Sequence, residues 1–80
     1  MRIYDEKHQL LEATCNCCRK SLKIQNGIII EGVFSVEYAF GYFSQKDEEI
    51  HKFDLCEACY DEWIKTFEIA PDIANNTELL

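Results

Sequence analysis

Hydrophobic positions recur along this chain in two rhythms. Val36, Tyr38, Phe40 and Tyr42 alternate with Glu37, Ala39 and Gly41, the period of two that a half-buried strand requires. The stretch Val33 to Ser44 around them is rich in β-branched and aromatic residues and reads as one strand. Gln45 to Glu49 form a polar turn, and Ile50 to Phe53 return as its partner. Upstream, Leu22-Lys23-Ile24-Gln25 and Ile28-Ile29-Ile30 flank Asn26-Gly27. That dipeptide suits a two-residue type I′ turn, where both central residues need positive φ. Ile3-Tyr4 reads as a short strand and Leu10 to Thr14 as an extended or turn segment leading into Cys15.

From Cys56 to Phe67 the period lengthens. Cys59, Tyr60, Trp63, Ile64 and Phe67 fall on one helical face, while Glu57, Asp61, Glu62, Lys65 and Glu68 take the other. Asp54 is the expected N-cap, with Glu57 three residues on completing a capping box. Asp61 and Lys65 are spaced to pair, and Pro71 is the expected terminator. Residues 70–80 read as an extended C-terminal tail that could join a sheet edge through Ile69, Ile73 or Leu79-Leu80. The pattern gives α+β: antiparallel β-hairpins followed by one C-terminal helix.

Cysteines change this picture most. Cys15/Cys18 and Cys56/Cys59 form two Cys-x-x-Cys pairs. Each pair can turn two thiolates toward one ion, and together they complete a tetrahedral all-sulfur set that favours Zn²⁺ with Zn–S near about 2.3 Å. The metal ligands are therefore expected to be Cys15, Cys18, Cys56 and Cys59. Such a closed set leaves no position for water or substrate, so it argues for structure rather than catalysis, and no enzyme is expected. Eighty residues also make a domain small enough to need a staple. The first pair, Cys15-Asn16-Cys17-Cys18-Arg19-Lys20, reads as a zinc knuckle. Gly is favoured just after its second ligand, where φ is positive; here Arg19 holds that place.

Five cysteines could instead form disulfides. The odd count opposes this, and Met1-Arg2-Ile3-Tyr4-Asp5 lacks the layout of a signal peptide. A cytoplasmic, reducing setting is expected, where paired cysteines more often bind metal. Cys17 is the odd thiol, read as an incidental turn residue with an alternative ligand or a redox handle as the other options. His51 reads as a surface or second-layer residue, and His8 has no partner motif. Glu48-Glu49 read as a solvated turn rather than a catalytic carboxylate pair.

Knuckle, hairpins, then a helix whose first turn supplies the last two ligands is the order of a treble clef. Cys15 to Lys20, Phe40-Gly41-Tyr42-Phe43-Ser44 and Phe53-Asp54-Leu55-Cys56-Glu57-Ala58-Cys59-Tyr60-Asp61-Glu62-Trp63 resemble small bacterial proteins with a zinc-ribbon or treble-clef finger, a family without an assigned activity. The resemblance covers most of the chain and implies the fold and zinc but no function; the length of eighty residues predicts one domain over residues 1–80.

Charge narrows the partners. The formal net charge is −7, and four thiolates around one Zn²⁺ lower it further. Nucleic-acid binding needs clustered Lys and Arg; only Arg19, Lys20 and Lys23 cluster, beside the first cysteine pair, where they also offset metal-thiolate charge. The nine-membered set of Phe34, Tyr38, Phe40, Tyr42, Phe43, Phe53, Tyr60, Trp63 and Phe67 exceeds what so small a core can bury, and surplus apolar surface marks association sites. The leading expectation is a zinc-stabilised protein-interaction module, self-associating as a homodimer through an edge strand or the helix face. A nucleic-acid-binding finger and a thiol-redox or zinc-dependent enzyme are the alternatives. No membrane span and no small-molecule substrate is expected.

Overall fold

In the computed structural model, which describes residues 1–76, the chain is a small α+β fold: three two-stranded antiparallel sheets and one helix. β1 (Arg2–Tyr4) pairs with β2 (Leu10–Ala13), β3 (Ile24–Gln25) with β4 (Ile28–Ile29), and β5 (Val33–Ala39) with β6 (Ile50–Cys56); α1 spans Glu57–Ile64. Asn26 and Gly27 form the two-residue β3–β4 turn with φ of 54° and 76°. Both values are positive, as a type I′ turn demands.

The long hairpin differs from its expected bounds at two of its four ends. β5 stops at Ala39, not Ser44, because the next residues close a chain of overlapping turns. The Ser44 N–H donates to the Gly41 carbonyl, Lys46 N–H to Ser44 Oγ, and Glu49 N–H to the Lys46 carbonyl. β6 begins as expected at Ile50 but runs on to Cys56, since the register carries pairing from Ala39↔Ile50 down to Val33↔Cys56. That register puts Phe34, Leu55, Val36, Phe53, Tyr38 and His51 on one face and Ser35, Asp54, Glu37 and Lys52 on the other.

The helix also departs from expectation. Asp54 does not cap it. It lies in β6, 4% exposed, where its carboxylate accepts two hydrogen bonds from Arg2 (3.0 and 2.9 Å) and one from Ser35 Oγ (2.6 Å). The N-cap is Cys56, which makes no side-chain capping bond. Pro71 is not the terminator either. α1 ends at Ile64, and both the Thr66 N–H and its hydroxyl take the Trp63 carbonyl, a local competition that ends the helical ladder. Lys65 pairs with Glu62 at 3.0 Å rather than with Asp61. Of the expected buried face, Cys59, Tyr60 and Ile64 are half-buried, while Trp63 and Phe67 stay on the surface. Among the described residues the segment 70–76 forms no strand, and Ile69 and Ile73 are exposed; Leu79 and Leu80 lie outside the described residues.

The core is small and sits at the cysteine end. Leu10, Ala13, Cys15, Leu22, Leu55 and Cys56 are buried, with Ile24, Ile29, Val33, Phe34, Phe53 and Cys59 packed on them. Among the described residues no helix is long and apolar enough to cross a membrane.

Candidate metal centre

Two structural devices aim the first cysteine pair. Ala13, Thr14 and Cys15 run antiparallel to Leu22, Ser21 and Lys20, held by Leu22 N–H to the Ala13 carbonyl (2.8 Å) and Cys15 N–H to the Lys20 carbonyl (2.9 Å). The turn between them closes when the Arg19 N–H donates to the Cys15 carbonyl at 2.9 Å. Arg19 bears the steric cost of that turn with φ 68°, the left-handed region that a Cβ disfavours. The glycine-preferring position read from the sequence is therefore real, and Arg19 occupies it.

The second pair comes from the β6–α1 junction. Cys56 ends the strand and caps the helix, and Cys59 lies three residues on in the first turn. Both thiols sit where the partial positive charge of a helix N-terminus favours anions.

Asn16 joins the two halves. Its backbone N–H donates to the Asp54 carbonyl at 2.8 Å, while its side-chain oxygen accepts the Asp54 backbone N–H at 3.0 Å. The knuckle is thereby fastened to β6 two residues before Cys56. In the sequence Asn16 signals only a turn. The usable signal was a residue with both donor and acceptor inside the pair, opposite a strand end that must supply the other ligands.

The outcome is one cluster: the Sγ atoms of Cys15, Cys18, Cys56 and Cys59 all lie within 4.8 Å of one another. Sulfurs at the corners of a tetrahedron with bonds of about 2.3 Å stand about 3.8 Å apart. Cys18 and Cys56 meet at 3.8 Å. The donor set and its spacing thus fit a tetrahedral metal ion. Burial would raise the Cys15 thiol, but backbone N–H groups of Cys56, Cys18 and Cys17 outweigh it and bring it down to about 6. Cys59 is pushed well up, first by Cys56, then by Cys18 and burial. At Cys18 the Lys20 N–H and Cys59 pull downward, yet Cys15, burial and Cys56 prevail and the net shift is upward. One thiolate is welcome here and further ones repel it, so full ionisation requires a bound cation. Four cysteines so placed can bind a metal ion.

The other candidates separate cleanly from this cluster. Cys17 is exposed and near Cys59, but outside the four-sulfur set. His51 sits at the far end of β6, its Nε2 2.9 Å from Glu49 Oε1 and its ring 4.8 Å from Phe40. His8 is in the β1–β2 turn with φ 63°. Glu48 has φ 77° in the β5–β6 turn. Of the basic trio, Lys20 is bound to Glu31 at 2.8 Å, and the second Glu31 oxygen accepts the Lys23 backbone N–H at 2.7 Å. Glu31 holds the Lys20 ammonium above its ordinary range, with smaller help from Cys56 and Cys18. The trio's position beside the sulfurs was legible; the Glu31 clamp was not.

The sequence matches no family model, no curated protein and no solved structure.

Proposed function

We propose that this chain is a structural zinc protein that serves other proteins as an interaction module. One observation carries the reading: four cysteine sulfurs, from the knuckle and from the β6–α1 junction, converge within 4.8 Å of one another, with Cys18 and Cys56 at 3.8 Å. An all-thiolate tetrahedral set favours Zn²⁺, the usual ion of closed four-cysteine structural sites. Four sulfurs fill the coordination shell, so no place is left for an activated water, and the ion's work is to hold the knuckle to the β6–α1 junction. On this reading the protein is not an enzyme and works in a reducing compartment such as the cytoplasm, where thiolates stay available to the metal.

The interaction role is supported by the surface. Tyr42 and Phe43 are 82% and 98% exposed, and Tyr38, Trp63 and Phe67 also face solvent. Nucleic-acid binding is the weaker alternative, since Lys20 of the small basic cluster is already committed to Glu31. Elemental analysis of protein isolated under reducing conditions is expected to give one zinc per chain. Metal-free, folded protein, or Cys15–Cys18 and Cys56–Cys59 disulfides found by mass spectrometry, would overturn the reading.

A further inference from the structure

We propose that the apolar groove between α1 and the aromatic face of the β5–β6 sheet is a docking site for a cationic amphipathic segment of another protein. The inference rests on the zinc reading above and names the surface through which the module works.

The groove arises from the register. Phe53 and Leu55 share the aromatic face of β6 and form the floor. α1 runs back along this face, fixed by Phe34, whose ring is 4.8 Å from Tyr60 and 6.1 Å from Trp63. Ala58, Cys59, Glu62 and Trp63 of α1 and Cys17 and Cys18 of the knuckle complete the lining, so the groove borders two of the four clustered cysteines. The groove is open to solvent and holds about 700 Å³, within the roughly 300–1,000 Å³ of sites that take ligand-sized apolar groups.

Charge selects the occupant. Among the described residues Glu62 is the sole carboxylate on the lining, and it stands in an acidic run. Between Glu57 and Asp72 the chain carries Glu57, Asp61, Glu62, Glu68 and Asp72 against Lys65 alone. Lys65, 3.0 Å from Glu62, offsets one of these charges and leaves the segment four charges negative. At the other end, a divalent ion on four thiolates would leave two negative charges, which Arg19 and Lys20 beside the knuckle offset in part. An approaching segment therefore meets net negative charge along α1 and an apolar floor beside it. Lys or Arg flanking apolar anchors satisfies both, with the half-exposed Trp63 ring as a further cation contact. A second copy of this chain would bring its own acidic helix to the same place, so like charges would face each other.

Trp63, the single tryptophan, reports directly on the groove. The test uses the zinc-loaded chain and a helical peptide of Leu and Lys in amphipathic order, with Leu/Glu and Ser/Lys peptides of the same pattern. The Leu/Lys peptide is expected to give a saturable blue shift of Trp63 emission, at least about tenfold tighter than either comparison peptide. Glu62→Lys is expected to weaken it about tenfold, whereas Glu12→Lys, on β2 away from the groove, leaves it unchanged. Equal binding of the Ser/Lys peptide would reduce the effect to bulk charge and overturn the proposal. So would an unchanged Trp63 spectrum, or sedimentation showing the groove closed by a second copy. Metal content measured on the same samples separates failure of the zinc reading from failure of the docking site.

Discussion

The two ends of the β5–β6 hairpin are built on opposite terms. At the lower end Val33↔Cys56 and Ser35↔Asp54 lie against the knuckle and β1, and the polar groups find partners far away in sequence. Arg2 reaches Asp54 and Ser35, and Asn16 reaches Asp54. At the upper end the turn from Phe40 to Glu49 satisfies itself with local bonds. Its aromatic side chains pair with near neighbours: Tyr42 against Phe43 at 5.3 Å, and Tyr38 against Phe40 at 5.0 Å. The lower end gathers the aliphatic core and is tied together at long range; the upper end is rich in aromatics and, among the described residues, tied to nothing distant. Aromatic content alone would have put the core at the wrong end.

The largest test of this contrast removes the tie. Chelation, or Cys56→Ser, is expected to unfold the lower end, because metal-binding energy on the order of 10 kcal/mol is folding energy when the unfolded chain has no site. Loss of amide dispersion in NMR spectra checks it. Retained cooperative melting without metal would show that the small core suffices.

A smaller effect is expected from Arg2→Ala, which strands the Asp54 carboxylate. The Arg2 side chain is one-third exposed and Asp54 keeps Ser35, so a loss of about 2 kcal/mol is expected, below the cost of breaking a fully buried pair. Hydrogen bonding from Arg2 holds the Asp54 pKa below its ordinary value despite burial. The pair's contribution is therefore present above the ordinary aspartate pKa of about 3.9 and lost as pH falls through the lowered folded value. Urea midpoints at neutral pH should differ between wild type and variant, and the gap should narrow in acid.

Arg19→Gly is expected to raise stability by up to about 1 kcal/mol, by relieving a left-handed residue, read as a higher urea midpoint of the metal-loaded protein. Phe43→Ser, at a residue 98% exposed, is expected to change stability by less than about 0.5 kcal/mol, measured the same way. A larger loss would mean that the aromatic tip is buried against another molecule.

These contrasts also explain what could be read from residue order. The Asn26-Gly27 hairpin, the glycine-preferring place at Arg19 and the convergence of the two cysteine pairs were all legible, since each depends on geometry within a few residues or on ligand number. The Asp54 cap misleads because its capping spacing to Glu57 is local, whereas its partner Arg2 is 52 positions away. Strand length is overestimated past Ala39 because Phe40, Tyr42 and Phe43 have the composition of a strand, yet turn hydrogen bonds decide their conformation. The Asn16–Asp54 stitch and the groove beside Trp63 depend on which elements meet, and periodicity carries no such information.

The nested hairpins have a consequence for how fast the site can assemble. Cys18 and Cys56 are 38 positions apart, a long loop to close by diffusion. Once β5 and β6 zip, Val33 and Cys56 become neighbours, and the open segment shrinks to Cys18–Val33, less than half as long. Closure entropy changes by about 0.6 kcal/mol for each such halving. The β3–β4 hairpin, whose base is pinned by Ile30 N–H to the Lys23 carbonyl, shortens it again. Local turns thus convert a distant encounter into a near one, and the hairpins act as a folding-rate device for bringing the four sulfurs together as much as a scaffold that holds them.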